Sequence, residues 1–221
     1  MPSSVRVRKP KAPSQKRALS PAVSPDHDLG DERTLRGIGY QGSDFSGLEL
    51  YGCDLEECRL ASVRLSSVSF DQVIISDSEL ERSDLANAQC NDVSLLQSRL
   101  EGCRLTGSSW SCGLLRDVLL VECRVDLARF RQSKLRSVAF RNCTMQQVDF
   151  QWAELSHVEF VGCDLSGAQF ANATMSNVVF TDCALHDVGG VSGLKGATVQ
   201  EGDLVSLAPS LARELGISID F

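Results

Sequence analysis

The chain is poor in the residues that most metal and redox chemistry uses. It has three histidines, His27, His157 and His186, and they lie far apart. Its nine cysteines are an odd number, and none stands in a CxxC pair. That usage does not fit the paired spacing of structural zinc sites. With no apolar leader at the N-terminus, it favours reduced thiols over a disulfide framework. No apolar run approaches the length a membrane helix needs, so no spanning helix is expected. No phosphate loop, HExxH or GxSxG motif occurs. The expectation is a cytoplasmic non-enzyme with no catalytic residues, no cofactor and no metal. Proline is scarce after the start: five of the six lie at Pro2, Pro10, Pro13, Pro21 and Pro25.

What remains is enough for a folded core. Of 221 residues, 43% are hydrophobic, and the formal net charge is −7. Residues 1–37 stand apart. They hold those five prolines and eight Lys or Arg against four Asp or Glu. Without apolar periodicity, this segment is expected to be a disordered basic tail. No direct nucleic-acid binding is expected except through this basic arm, which suits nucleic acid or an acidic surface; otherwise it is a solvated extension.

From residue 40 the sequence keeps a period of five. The column Tyr40, Phe45, Leu50, Leu55, Leu60 and onward to Leu185 is apolar at every step, counting Cys90. A column two residues earlier, from Ser43 to Val188, holds Ser, Ala, Val, Cys, Gly and a single Leu. Residues two apart on an extended segment point to the same side, so both columns face inward. The next inward pair begins three residues later, which demands a corner. Four segments and four corners close a square coil of twenty residues. Coils then stack at about 4.8 Å, and the repeat is a solenoid.

Ser43-Asp-Phe-Ser-Gly47, Cys103-Arg-Leu-Thr-Gly107 and Cys163-Asp-Leu-Ser-Gly167 are the clearest units, with looser ones at Ser83-Asp-Leu-Ala-Asn87 and Cys53-Asp-Leu-Glu-Glu57. These units resemble the pentapeptide-repeat family. The resemblance implies an all-β solenoid, a right-handed quadrilateral β-helix over residues 38–199. It also implies a binding or protective protein rather than an enzyme. Four units per coil predict ladders of residues twenty apart: Phe70, Cys90, Trp110, Phe130, Phe150, Phe170 in one, and Cys103 to Cys183 in another. A straight row of thiols is no tetrahedron, so the cysteines read as small buried hydrophobes. Cys112 falls on an outward column and is the expected reactive thiol.

After Val188 the repeat dissolves. Residues 200–221 are expected to form a short C-terminal α-helical cap followed by a strand. Asp203 would cap the helix and Gly216 would end it. Leu204, Leu207, Leu211 and Leu215 recur at helical spacing, and Ile217, Ile219 and Phe221 alternate. This apolar element either covers the open end of the solenoid or joins two chains as a homodimer.

Charge divides along the axis. Residues 44–101 hold four Lys or Arg against twelve Asp or Glu, and residues 102–141 hold eight against three. Residues 142–188 have no Lys or Arg and six acids: Asp149, Glu154, Glu159, Asp164, Asp182 and Asp187. Some family members imitate DNA and shield DNA gyrase or topoisomerase IV from quinolones. By that resemblance the six acids are candidate partner-binding residues. The alternative is a protein-interaction scaffold unrelated to DNA topology.

Overall fold

A single backbone conformation turns the chain at every fifth residue. In the computed structural model, which describes residues 7–14 and 18–218, each position in the column from Glu32 to Asp187 has a positive φ. Eight are glycine, five aspartate and four asparagine, the residues that reach the left-handed region at least cost. Leu127 (φ 60°) and Trp152 (φ 63°) reach it with a full side chain, at roughly 1–2 kcal/mol each. Most corner amides donate to a carbonyl of the next coil. Gly107 donates to Asp126 O at 2.9 Å, Leu127 to Gln146 O at 2.8 Å and Gly167 to His186 O at 2.8 Å, always on the next coil.

Between corners the chain is extended for three residues, as at Glu79–Glu81 and Arg99–Glu101. Three strands of eight, Leu114–Val121, Lys134–Arg141 and Glu154–Val161, run across a corner and serve two walls. All pairing is parallel. Leu115 pairs with Leu135, Leu135 with Leu155 and Leu155 with Met175, each twenty residues on. On another wall, bridges run Asp44, Arg64, Asp84, Arg104, Arg124, Thr144, Asp164, Ala184. Parallel pairing therefore climbs all four walls, and the chain is a parallel β-solenoid.

The interior is filled by apolar side chains. Phe70, Cys90, Trp110, Phe130, Phe150 and Phe170 are all buried in one ladder. Phe130 and Phe150 stack at 5.2 Å, and Phe150 and Phe170 at 5.4 Å. The adjoining wall stacks Phe140, Phe160 and Phe180 at 5.1 and 4.8 Å. The two ladders meet edge to face, as at Phe150–Phe160 (5.9 Å, 74°). The cysteine ladder is buried too, and all nine cysteines are free thiols. Each ladder sulfur lies near two carbonyls, as Cys143 does at Leu120 O and Arg141 O. Burial pushes the Cys90 thiol well above its ordinary range. Cys112 is the exposed one.

The N-terminal expectation needs correction. Residues 18–37 are part of the solenoid: Ser20–Pro21 pairs with Ile38 and Gly39, and Thr34–Arg36 pairs with Asp54–Glu56. Leu35 and Ile38 are buried, and Leu29 packs on the core. Tyr40 donates its hydroxyl to His27 O at 2.8 Å. Thr34-Leu35-Arg36-Gly37 already carries the repeat, one unit before the column that begins at Tyr40. Pro21 is tolerated because it sits on the edge strand. Residues 7–14 take neither helix nor strand and lie along a corner of the rod. Ser14 binds Asp77, Lys11 binds Asp117 and Arg8 reaches His157. Residues 1–6 and 15–17 of the expected tail lie outside the described residues.

At the other end the helix runs Glu201–Glu214, with Gln200 before it, Pro209 inside it and Gly216 (φ 70°) just past it. Asp203 is not the cap. It lies in the first turn and is 8% exposed. Its carboxylate accepts the Cys183 N–H at 3.0 Å, and Ser206 Oγ accepts the Leu185 N–H at 3.0 Å. The helix thus supplies acceptors that a further coil would have supplied. Gly193 permits the turn that leads there, since a Cβ would collide with the Phe170 carbonyl.

Two substitutions on neighbouring columns separate corner strain from packing. Leu127→Gly relieves a left-handed residue and should raise stability by about 1 kcal/mol. Phe130→Ala opens a core cavity and should cost about 3–5 kcal/mol. Thermal denaturation of both variants checks the opposite signs.

Candidate functional surfaces

The wall bears the chemistry, because the inside is filled. The structure distributes the six candidate acids over all four walls and two corners rather than gathering them. Asp149 and Asp164 belong to two different bridge ladders, Glu154 and Glu159 lie on either side of the corner at His157, and Asp182 and Asp187 are themselves corners.

Four of the six already meet a cation. Arg131 Nε lies 2.6 Å from Asp149, and Arg213 lies 3.0 Å from Asp187. Looser pairs join Lys134 to Glu154 at 4.0 Å and Arg141 to Glu159 at 3.9 Å. Parallel stacking explains the three partners that come from the basic belt, Arg131, Lys134 and Arg141. They belong to the coil immediately before their acids, so the basic belt and the acidic end interlock. Such exposed pairs contribute about 0–1 kcal/mol each, but they reduce the bare negative charge on the wall. Burial pushes the Asp164 carboxyl up, yet hydrogen bonds from Gln146 and Ser166 outweigh it and hold the group below its usual range. Asp182 is exposed at a corner.

The C-terminal candidates divide. Leu207 is 3% exposed and belongs to the core, and Leu211 is half-buried against it. These two cover the open end. Leu204, Leu215 and Ile217 point outward, together with Val205. Ile217 is not in a strand, which corrects the expected alternation, and Ile219 and Phe221 lie outside the described residues. Beside Leu204 is an apolar groove of about 570 Å³, lined by Val191, Leu194, Ala197, Val199, Leu207 and Leu211.

Two exposed apolar corners went unnoticed in the sequence: Leu127, and Trp152 at 60% exposure. Their signal was present. Both fall in the column otherwise rich in glycine, asparagine and aspartate. No described helix is long and apolar enough to cross a membrane.

A family model described as "Pentapeptide repeat region" matches residues 93–170 and 133–189, and a second, "Pentapeptide repeats (8 copies)", matches 41–77. A search of curated proteins gives no match. Among solved structures, a trypsin-treated form of QnrB1, described as a plasmid-mediated fluoroquinolone resistance protein, is 18% identical with a TM-score of 0.37, covering 87% of this chain and 97% of that one. HetL, described as a pentapeptide repeat protein involved in heterocyst differentiation regulation, from the cyanobacterium Nostoc sp. strain PCC 7120, is 17% identical with a TM-score of 0.37. That match covers 78% of this chain and 91% of HetL. Rfr23 from the cyanobacterium Cyanothece 51142 is 14% identical with a TM-score of 0.37, covering 70% and 89%.

The closing role of Asp203 is directly measurable. Asp203→Ala orphans the buried Cys183 N–H and should cost about 1–3 kcal/mol. Thermal unfolding checks it, and hydrogen exchange should quicken first at the amides of Cys183 and Leu185.

Proposed function

Because this chain belongs to the pentapeptide-repeat family, we propose that it is a non-enzymatic binding protein whose charged wall engages a protein partner. The finer form of the proposal is a DNA mimic that binds the DNA-binding cleft of DNA gyrase or topoisomerase IV and alters quinolone sensitivity. One observation carries it. Six carboxylates fall within residues 142–188, which hold no Lys or Arg. That stretch spans about 11 Å of axis at about 4.8 Å per coil. Its acids thus recur about once per 1.9 Å, against about one charge per 1.7 Å in duplex DNA. This reading requires a cytoplasmic location.

Joining two chains through their C-terminal ends would lengthen the rod and bring both acidic ends to its centre. The outward Leu204, Leu215 and Ile217 and the groove beside them support a two-fold homodimer of this kind. Sedimentation should find a dimer at micromolar concentration, and a variant with Leu204→Glu and Ile217→Glu should sediment as a monomer.

A second reading, a scaffold with no link to DNA topology, is favoured by the ion pairs. Arg131, Lys134, Arg141 and Arg213 already meet four of the six acids. The exposed Trp152 and Leu127 suit a protein contact better than a nucleic-acid-like one.

Gyrase supercoiling, measured with increasing protein and with or without a quinolone, separates the two. The DNA-mimic reading expects wild type to inhibit supercoiling or relieve drug-induced cleavage, an effect that salt weakens. A variant with Asp149→Asn, Glu154→Gln, Glu159→Gln and Asp164→Asn should lose the effect and keep its thermal transition. If wild type has neither effect at about tenfold molar excess, the scaffold reading stands instead.

A further inference from the structure

The segment 7–14 lies against the corner column that contains Asp77, Asp117 and His157, and its contacts keep a strict step. Ser14 donates its N–H to Asp77 Oδ1 at 3.0 Å and its hydroxyl to the same atom at 2.7 Å. Three residues back, the Lys11 N–H reaches Asp117 Oδ1 at 3.3 Å. Three further back, the Arg8 N–H reaches His157 Nδ1 at 3.3 Å, and its guanidinium lies 3.7 Å from Asp117. Each step of three in the segment crosses two coils of the wall, from 77 to 117 to 157.

Polyproline II geometry explains the match. It has three residues per turn and rises about 3.1 Å per residue, or about 9.3 Å per turn. Two coils at about 4.8 Å measure about 9.6 Å. The sequence favours this geometry, since Pro10 and Pro13 fix their own φ and restrict Lys9 and Ala12 before them. Polyproline II makes no internal hydrogen bonds, so its amides are free to donate outward. Its three-fold symmetry also sorts the side chains: Val7, Pro10 and Pro13 are half-buried, whereas Arg8, Lys9 and Lys11 are exposed.

The wall is built to receive such a segment. Asp117 has a side chain 9% exposed. Among the described residues, the only hydrogen-bond and ion-pair partners of the Asp77 and Asp117 carboxylates come from residues 8–14. Between segment and wall is a groove of about 530 Å³, lined also by Leu96, Arg116 and Arg136.

We propose that this corner groove is a binding site for a basic, proline-spaced polyproline II peptide, and that residues 7–14 are its built-in, releasable occupant. Recognition has two parts. The three-residue turn of the peptide matches the two-coil spacing of the corners, and its cationic side chains and amides meet the two aspartates. The seated arm runs beside Arg116 and Arg136, which stay exposed; when the arm is released, the site takes a segment of the same chemistry from another chain.

Two measurements on the full-length chain test this. Hydrogen exchange should find the Lys11 and Ser14 amides slowed about tenfold or more at low salt. The slowing should be lost near 1 M salt, where the screening length is about 3 Å, and lost in the double variant Asp77→Asn, Asp117→Asn. Asparagine tolerates the left-handed corner, so that variant keeps its fold. In the second measurement, a fluorescent peptide with the sequence of residues 5–17 is titrated against a chain whose own arm is disabled by Pro10→Gly, Lys11→Glu and Pro13→Gly. The disabled chain should bind it saturably, and wild type about tenfold more weakly because its site is filled. Adding Asp77→Asn and Asp117→Asn to the disabled chain should abolish binding. Unprotected arm amides at low salt, or protection that survives the double variant, would overturn the proposal. So would protection that rises with protein concentration, or a disabled chain that does not bind the peptide at about 1 mM.

Discussion

Everything in this molecule depends on a left-handed residue at every fifth position. That conformation costs a non-glycine residue roughly 1–2 kcal/mol, and twenty-four non-glycine positions between Glu32 and Asp187 adopt it. Two terms outweigh the cost. Most corner amides donate to a carbonyl of the adjacent coil, contributing about 0.5–1.5 kcal/mol each. Each unit also buries one large apolar side chain, contributing about 1.5–3 kcal/mol. The interior ladders are a consequence, because corners fixed at five residues place Phe130 over Trp110 and under Phe150. The same constraint governs the outside. Cations and anions one coil apart fall into contact, as Arg64 does with Asp44 at 2.8 Å and Arg131 with Asp149 at 2.6 Å.

A stack of coils has no internal stop, so its ends must be closed. At the start, Ser20–Pro21 and Leu29 cover the first coil, and Tyr40 ties its hydroxyl to His27 O. At the finish the pairing slips from twenty residues to nineteen, with Val178 opposite Ala197 and Phe180 opposite Val199. Helical side chains then take over as acceptors. Asp203 does for Cys183 what the Ser83 hydroxyl does for Val63, and Ser206 does for Leu185 what the Ala184 carbonyl does for Leu165. The apolar side chains left outside that closure, Leu204, Leu215 and Ile217, are the ones a second chain would use.

The interior was readable from sequence because two inward columns obey one period without interruption. The aromatic and thiol ladders followed from dividing a twenty-residue coil by four. The ends were less readable, since packing there does not repeat. Leu35 and Gly37 carry the pattern, but they lie among charged residues that hide it. Proline in the first residues argues against helix and central strand, and so against order there. Pro10 and Pro13 oppose helix and strand, yet they favour the extended form that lies along the corner. Asp203 looked like a cap by position, and only the exposed edge of the last coil explains where its carboxylate points. The six acids were legible as charge but not as a surface, because axial stacking pairs three of them with Lys or Arg and the C-terminal helix pairs a fourth. That pairing narrows the wall's free charge and makes apolar corners such as Trp152 part of any account of binding.

The central claim is that corners at every fifth residue, closing a coil at twenty, determine the fold. Removing residues 118–137 takes out one coil and joins Asp117 to Val138, so every corner and inward column keeps its place. Removing 120–137 takes out two residues fewer and forces Phe140 into an exposed left-handed corner. Thermal denaturation of the two shortened chains, followed by circular dichroism, tests the claim most directly. The first should unfold cooperatively as a shorter solenoid, and the second should lose its cooperative transition. Equal stability of the two chains, or loss of folding in the first, would contradict the account.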